Sequence, residues 1–244
     1  MKMKTQWRVV FAVGVYLAEF AGSLALLAVP LGALRGFLAA LIALAVAAVT
    51  YLALFRQWVV RWGATGDEAV RPMPGDDIVP PSVRCTTRAI TIDVPAAQVW
   101  PWLVQLGYGR AGWYSDHVFK IGGQRGGDQI RPEWQQLRPG DRILMMPGAC
   151  FDVVAVEDGH YFVARTPDGT TSWCLDVEPL DQHSCRLISR WRAKWSAAAA
   201  GAYWITVSEP SAFLTERRML REIKARAEQA TLLGNDYRHQ AAWR

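Results

Sequence analysis

RILMMPGACFDVVAVEDGHYFVARTPDGTTSWCLDVEPLDQHSCRLISRW, from Arg142 to Trp191, decides the fold. Short β-rich runs alternate here with turn formers. The runs are Arg142–Met146, Cys150–Glu157, Tyr161–Arg165, Ser172–Glu178 and Arg186–Trp191. Pro147-Gly148, Asp158-Gly159, Pro167-Asp168-Gly169 and Asp181-Gln182 separate them. Such spacing predicts an antiparallel meander.

Upstream, Arg88 to Val94 alternates as one more strand. Pro95 opens a helix, where a missing N–H costs little. Val99, Leu103 and Leu106 give that helix an apolar stripe, Gly107 ends it, and Pro101 predicts a kink or a late start. Residues 109–128 (GRAGWYSDHVFKIGGQRGGD) are glycine-rich, aromatic and irregular. Downstream, a helix is expected from Glu209 to about Leu233, with Ser208 as N-cap and Phe213, Leu220, Ile223, Ala227 and Ala230 on its buried face. Arg218–Glu222 and Glu222–Arg226 are i,i+4 pairs on its wet side. Glu216, Glu222 and Glu228 interrupt the basic charge of this helix, which argues against nucleic acid as a partner. A strand, a helix, a meander and a long terminal helix make an α+β fold. The sheet curves around the helix and leaves a cavity suited to an apolar ligand.

Residues 1–62 are of a different kind. Val9–Val29 and Phe37–Phe55 are two apolar runs separated by Pro30–Gly36. At about 1.5 Å per residue each covers the roughly 30 Å hydrocarbon core of a bilayer. The expectation is a two-helix transmembrane hairpin, hence an integral membrane protein. Lys2, Lys4, Arg8, Arg56 and Arg61 flank the runs, and the turn holds only Arg35. Both termini and the soluble domain are therefore expected on the cytoplasmic side of the cytoplasmic membrane. Trp7, Trp58 and Trp62 would anchor the same interface. The formal net charge of +5 is concentrated here: residues 1–65 hold six Lys/Arg and one Glu, and residues 66–244 hold 21 of each sign. The high pI thus reports topology rather than a nucleic-acid surface. Glu19, in mid-membrane, is read as protonated or hydrogen-bonded within the hairpin. Residues 63–87, rich in Pro, Gly and Asp, read as a linker, residues 88–233 as the soluble domain and 234–244 as a tail.

TRAITIDVPAAQVWPWLVQLGYGRAGWYS (87–115), PEWQQLRPGDRI (132–143), LDVEPLDQHSCRLISR (175–190) and EPSAFLTERRMLREIKARAE (209–228) resemble the SRPBCC superfamily. This START/Bet v 1-like, helix-grip group includes polyketide cyclase/dehydrase-like and lipid-transfer proteins. The lead-in WGATGDEAVRPMPGDDIVP (62–80) is similar as well, so the resemblance covers about residues 62–233. It implies the helix-grip fold. It leaves function open, because one such scaffold hosts binders, transfer proteins and enzymes. Relatives typically read GWYSYD where this chain reads GWYSDH.

The loop after the first soluble helix gathers the candidate site. Arg110 suits an anionic head group, and Trp113 and Tyr114 suit a ring or chain. Trp134 lies at the start of the sheet region and also suits the pocket. Asp116 and His117 are the only acid/base candidates, and adjacent residues rarely converge on one atom. Neither a metal-binding pattern nor a GxGxxG, Walker or GxSxG motif occurs, so no metal or cofactor is expected. Four cysteines without a CxxC pattern read as reduced thiols. The apolar, alanine-rich stretch 196–202 reads as a loop covering the cavity or as an interfacial segment. The first functional reading is membrane-tethered binding or transfer of a hydrophobic small molecule: a lipid, isoprenoid or polyketide-like compound. The alternatives are a cyclase- or dehydratase-type enzyme on such a ligand, and a non-catalytic membrane assembly or regulatory factor.

Overall fold

The computed structural model describes residues 33–79, 84–114, 126–194, 205 and 208–241. The chain divides into two compact units, Met1–Trp58 and Val59–Arg244.

In the first unit, α1 (Ala33–Thr50) runs into a π-helical turn, Tyr51–Phe55, and then into α2 (Arg56–Val60), which crosses the unit boundary. Gly36–Val60 is one helix of 25 residues, long and apolar enough to cross a membrane by length and composition. It is the single such helix among the described residues. Phe37, Ile42, Leu44, Val49 and Leu54 are exposed along it. Helix α1 begins within the stretch read as the turn. The first apolar run, Glu19 and Trp7 lie outside the described residues, and with them the expected hairpin.

The second unit matches the expected helix-grip α+β architecture. Six strands form one antiparallel sheet in the order β1-β6-β5-β4-β3-β2. They are β1 (Arg84–Ile92), β2 (Arg142–Met146), β3 (Ala149–Glu157), β4 (Tyr161–Arg165), β5 (Thr171–Pro179) and β6 (Cys185–Ala193). The dipeptide and tripeptide turns read from the sequence separate consecutive strands from β2 to β6. The pairing Arg88↔Ser189 and Leu175↔Ser189 puts β6 between β1 and β5.

On one face Ile92, Phe151, Phe162, Trp173, Leu175 and Leu187 form the main core. Val99 and Leu103 join it from helix α4 (Ala96–Val104), which contains Pro101 and has Pro95 at its N-cap. Leu220, Ile223 and Ala227 join it from helix α5 (Glu209–Ala241). Phe213 is buried as expected, whereas Ala230 is exposed. Helix α5 also continues through most of the expected tail. Both i,i+4 pairs form, with Arg218–Glu222 at 2.9 Å and Arg226–Glu222 at 2.7 Å.

The opposite face differs from the expectation of a linker at 63–87. Strand β1 already begins at Arg84. Residues 62–79 form a strap packed on the sheet. Trp62 O accepts from Ala89 N at 3.0 Å. Gly63 sits so close to β1, at φ +73°, that a Cβ there would lie 2.0 Å from Ala89 O. Helix α3 (Gly66–Val70) starts with a complete capping box between Thr65 and Glu68. Met73 packs with Ala89, Val163, Cys174 and Ile188 in a second small core. Arg190, 3% exposed, points under the strap. It donates to Asp76 Oδ2 and Arg71 O, both at 2.7 Å, to Glu68 O at 2.6 Å and to Thr87 Oγ1 at 3.1 Å. Arg186 pairs with Glu68 at 2.6 Å, and Arg71 pairs with Glu178. Burial pushes the Glu68 carboxyl up, but hydrogen bonds from Arg186 and Thr65 outweigh it and hold the group below its ordinary range.

Asp176 lies on this face, buried beside Glu178. Burial first, and Glu178 second, push its carboxyl from 3.8 up to about 6, with Arg71 opposing. The folded state thus holds a proton that the unfolded chain has released. The resulting penalty is absent below about pH 4, grows as pH rises towards about 6, and is full at neutral pH. Asp176→Asn should therefore melt higher than the parent at neutral pH, by on the order of 1–3 kcal/mol, with the difference vanishing near pH 4. Thermal melts of the detergent-solubilised full chain across that range provide the check. A difference independent of pH counts against it.

Candidate functional site

The main core does not fill the space between sheet and α5. A cavity of about 650 Å³ opens along the first turns of the helix. Periodicity of two supplies the sheet wall: Arg84, Thr86 and Arg88 from β1, Thr171 and Trp173 from β5, Trp191 and Ala193 from β6. Helical periodicity supplies the other wall, with Glu209, Ala212, Glu216 and Met219 on one stripe and Ser208, Ser211 and Thr215 beside it. Trp113, Met145, Met146, Phe151 and Thr166 complete the lining. Small side chains on the helix face large aromatics on the sheet, and the mismatch in size leaves the space.

The aromatic wall is continuous. Trp173 stacks on Trp191 at 5.0 Å and 22°. Trp113 tilts against Trp173 at 5.6 Å, and Phe151 meets Trp191 edge-on at 5.4 Å. Two of these indoles are fixed by hydrogen bonds, Trp173 Nε1 to Ser189 Oγ at 2.9 Å and Trp113 Nε1 to Met145 O at 3.0 Å. Trp191 Nε1 is buried without a partner among the described residues.

One ion pair sits in this apolar lining. Arg88 of β1 and Glu216 of α5 are 1% and 7% exposed and pair directly. Arg88 Nε donates to Val59 O at 3.0 Å, and its guanidinium lies over the Phe213 ring at 5.6 Å. Arg88 Nη2 and Glu216 Oε1 have no hydrogen-bond partner among the described residues. Phe213 meets Trp62 edge-on at 6.4 Å, with the Arg217 and Arg221 guanidinium groups over the Trp62 ring. Trp62, expected as a membrane-interface anchor, is thus packed on α5.

Of the residues proposed from the sequence, Trp113 lines the cavity. Tyr114 is fully buried at φ 53°, donates from its hydroxyl to Trp102 O at 3.2 Å and accepts from Gln105 Nε2 at 2.8 Å. Burial pushes its phenol well up. Arg226 covers the Tyr114 ring at 4.8 Å. Arg110 donates to Trp134 O at 2.7 Å, which ties two of the candidates to each other, and burial lowers its pKa. Trp134 packs half-buried against the core. Tyr114, Arg110 and Trp134 are not among the lining residues. Asp116 and His117 lie outside the described residues, as does the 196–202 stretch. Among the described residues no metal-sized group of His, Cys, Asp and Glu forms.

Arg88, Glu216, Trp173 and Trp191 are not among the site residues expected from the sequence. The signal was present for the pair. Arg88 shares the strand face of Ile90 and Ile92, and Glu216 lies three residues after Phe213 and four before Leu220.

No family model matches the chain, and no curated protein matches it. Solved structures do. A polyketide-cyclase-like protein from Corynebacterium glutamicum is 17% identical over 66% of this chain and 97% of its own, with a TM-score of 0.31. An aromatase/cyclase from Streptomyces sp. R1128 is 15% identical over 61% and 96%, with a TM-score of 0.37. A norcoclaurine synthase point mutant from Thalictrum flavum is 10% identical over 58% and 94%, with a TM-score of 0.34.

The ion pair makes a distinct energetic prediction. Arg88→Met strands the Glu216 carboxylate in an apolar wall and should cost about 3–5 kcal/mol. Adding Glu216→Leu removes the stranded charge and should restore most of that loss. Thermal melts of the parent, single and double variants measure it. A double variant no more stable than Arg88→Met would mean that the pair is not the determinant.

Proposed function

We propose that this chain binds or transfers a hydrophobic small molecule, a lipid, isoprenoid or polyketide-like compound, while tethered to a membrane. The cavity carries the reading. Its volume lies within the range of small-molecule pockets, and it is walled by four aromatic rings with only a few polar groups. A dry, closed core would have favoured an assembly role instead. The resemblance of the sequence to helix-grip proteins points the same way. The tether is supported by the apolar helix Gly36–Val60. A tethered binder works where such ligands are concentrated.

A cyclase- or dehydratase-type enzyme is the second reading, favoured by one observation. Glu209 and Glu216 are both buried and both line the cavity from one helix. Conversion of a probe that is lost in a folded Glu209→Gln variant would put this reading first.

Molecules that co-purify with the full-length chain can be identified by native mass spectrometry, with a lipid-like compound expected. Trp113→Ala should weaken its recapture about tenfold, equivalent to roughly 1.4 kcal/mol. Unchanged capture by a variant of parental melting temperature removes the cavity as the binding site.

The basic residues around the two apolar runs support a hairpin with both termini and the soluble domain in the cytoplasm. A cysteine placed within residues 30–36 should react with a membrane-impermeant thiol reagent added outside intact cells. Labelling only after lysis overturns that orientation.

A further inference from the structure

We infer that the outward face of helix α5 at Arg217 and Arg221, with the Trp62 ring against them, binds the phosphate of an anionic lipid headgroup in the membrane that the apolar helix enters. The inference rests on the tether proposed above and names the class of lipid that the tethered domain meets.

The charges of α5 support it first. Arg218 pairs with Glu222 at 2.9 Å, Arg226 with Glu222 at 2.7 Å and Lys224 with Glu228 at 2.6 Å. Arg217 and Arg221 pair with no carboxylate among the described residues. They stand four residues apart, where like charges on one helix face repel. Both guanidinium groups nevertheless lie over the Trp62 ring, at 5.2 and 5.9 Å from its centroid. Trp62 is itself held by the Phe213 ring at 6.4 Å and by the hydrogen bond that Ala89 N donates to its carbonyl at 3.0 Å. Burial first, and Arg221 second, lower the pKa of Arg217. An anion set between the two cations offsets their repulsion, and the planar forks of two arginines suit the oxygens of a phosphate.

Position supports it second. Helix Gly36–Val60 has 25 residues, so at 1.5 Å per residue it spans about 37 Å and outreaches the roughly 30 Å hydrocarbon core. With Arg56 and Arg61 at this end, its last turn emerges among the headgroups. Trp62 follows Val60 by two residues, a reach of at most about 7 Å. Val59, Val60, Trp62 and α5 belong to one compact unit. The two guanidinium groups on Trp62 thus stand at headgroup depth, which tryptophan favours.

An exposed apolar residue supports it third. Leu214 is 47% exposed. It lies three residues before Arg217 and seven before Arg221, hence on the same outward stripe. A leucine exposed among arginines is the pattern of a helix face that rests on a bilayer. Free phosphate offers that leucine nothing, whereas a lipid brings an acyl chain.

Full-length protein is placed in nanodiscs of phosphatidylcholine with a minority of phosphatidylglycerol, released into an uncharged detergent and weighed by native mass spectrometry. The parent should retain phosphatidylglycerol about tenfold over its share of the mixture. In Arg217→Gln/Arg221→Gln that enrichment should fall to near parity. Arg218→Gln removes an arginine already paired with Glu222 and should keep most of it. A parent without enrichment overturns the inference and leaves the tether standing. Enrichment that survives in the folded double variant overturns the assignment to these arginines, and an equal loss in Arg218→Gln makes the effect one of total charge and overturns the site. Displacement of phosphatidylglycerol by millimolar inorganic phosphate makes the occupant a free anion, and a dimer lost in the double variant makes it a second copy; either overturns the lipid. Should the double variant not fold, Arg221→Gln, whose side chain is exposed, decides. A chain that enters no nanodisc overturns the tether and this inference with it.

Discussion

A guanidinium carried into the core by strand β1 constrains everything around it. Arg88 cannot turn outward, because the alternation that buries Ile90 and Ile92 fixes its side as well. A charge so placed must be paired or the fold loses several kcal/mol. Two elements meet it. Helix α5 brings Glu216 and covers the guanidinium with the Phe213 ring, and the end of α2 presents Val59 O. That carbonyl is one of the last four of its helix and has no partner within it, so a cation there completes the helix end. One side chain thereby ties the sheet, the terminal helix and the point where the chain enters the domain.

The same physics operates on the reverse face. Arg190 is as deeply buried as Arg88, and its donors are consumed by the strap. This accounts for a feature of β5. Residues Ser172 to Val177 are buried without alternation, as in a sheet covered on both faces. Trp173, Leu175 and Val177 face α5, and Cys174 faces Met73 of the strap. An antiparallel sheet with one solvated face would have alternated.

The strands were legible because each is bounded by a turn whose chemistry is local. Pro147-Gly148, Asp158-Gly159 and Pro167-Asp168-Gly169 need no knowledge of distant partners. The strap was not legible for the converse reason. Its Pro, Gly and Asp content correctly reports irregular backbone, but its order comes from ion pairs with β5 and β6 more than a hundred residues away. Composition cannot distinguish a solvated Asp76 from one that holds a buried arginine. The cavity divides in the same way. Trp113 stood out as an aromatic in a glycine-rich loop. Arg88 reads from the sequence only as the start of a strand and Glu216 only as a break in the basic charge of the helix, although the strand and helix periods place both on inward faces. A charged residue at an apolar position on each of two elements expected to pack together signals a buried pair, and that signal outranks the usual preference of charge for water.

Helix α5 has two halves with different tasks. Leu220, Ile223 and Ala227 close a dry core against the sheet and α4. Ala212, Thr215 and Ser211 recede from the aromatic wall and leave it uncovered. Glu216 lies where one half gives way to the other. A longer apolar residue there would extend the dry core and shrink the cavity. A carboxylate there pairs with Arg88 and ends the dry core instead. Apolar replacements of buried ion pairs commonly stabilise, so the pair keeps the space beside it open at the expense of stability.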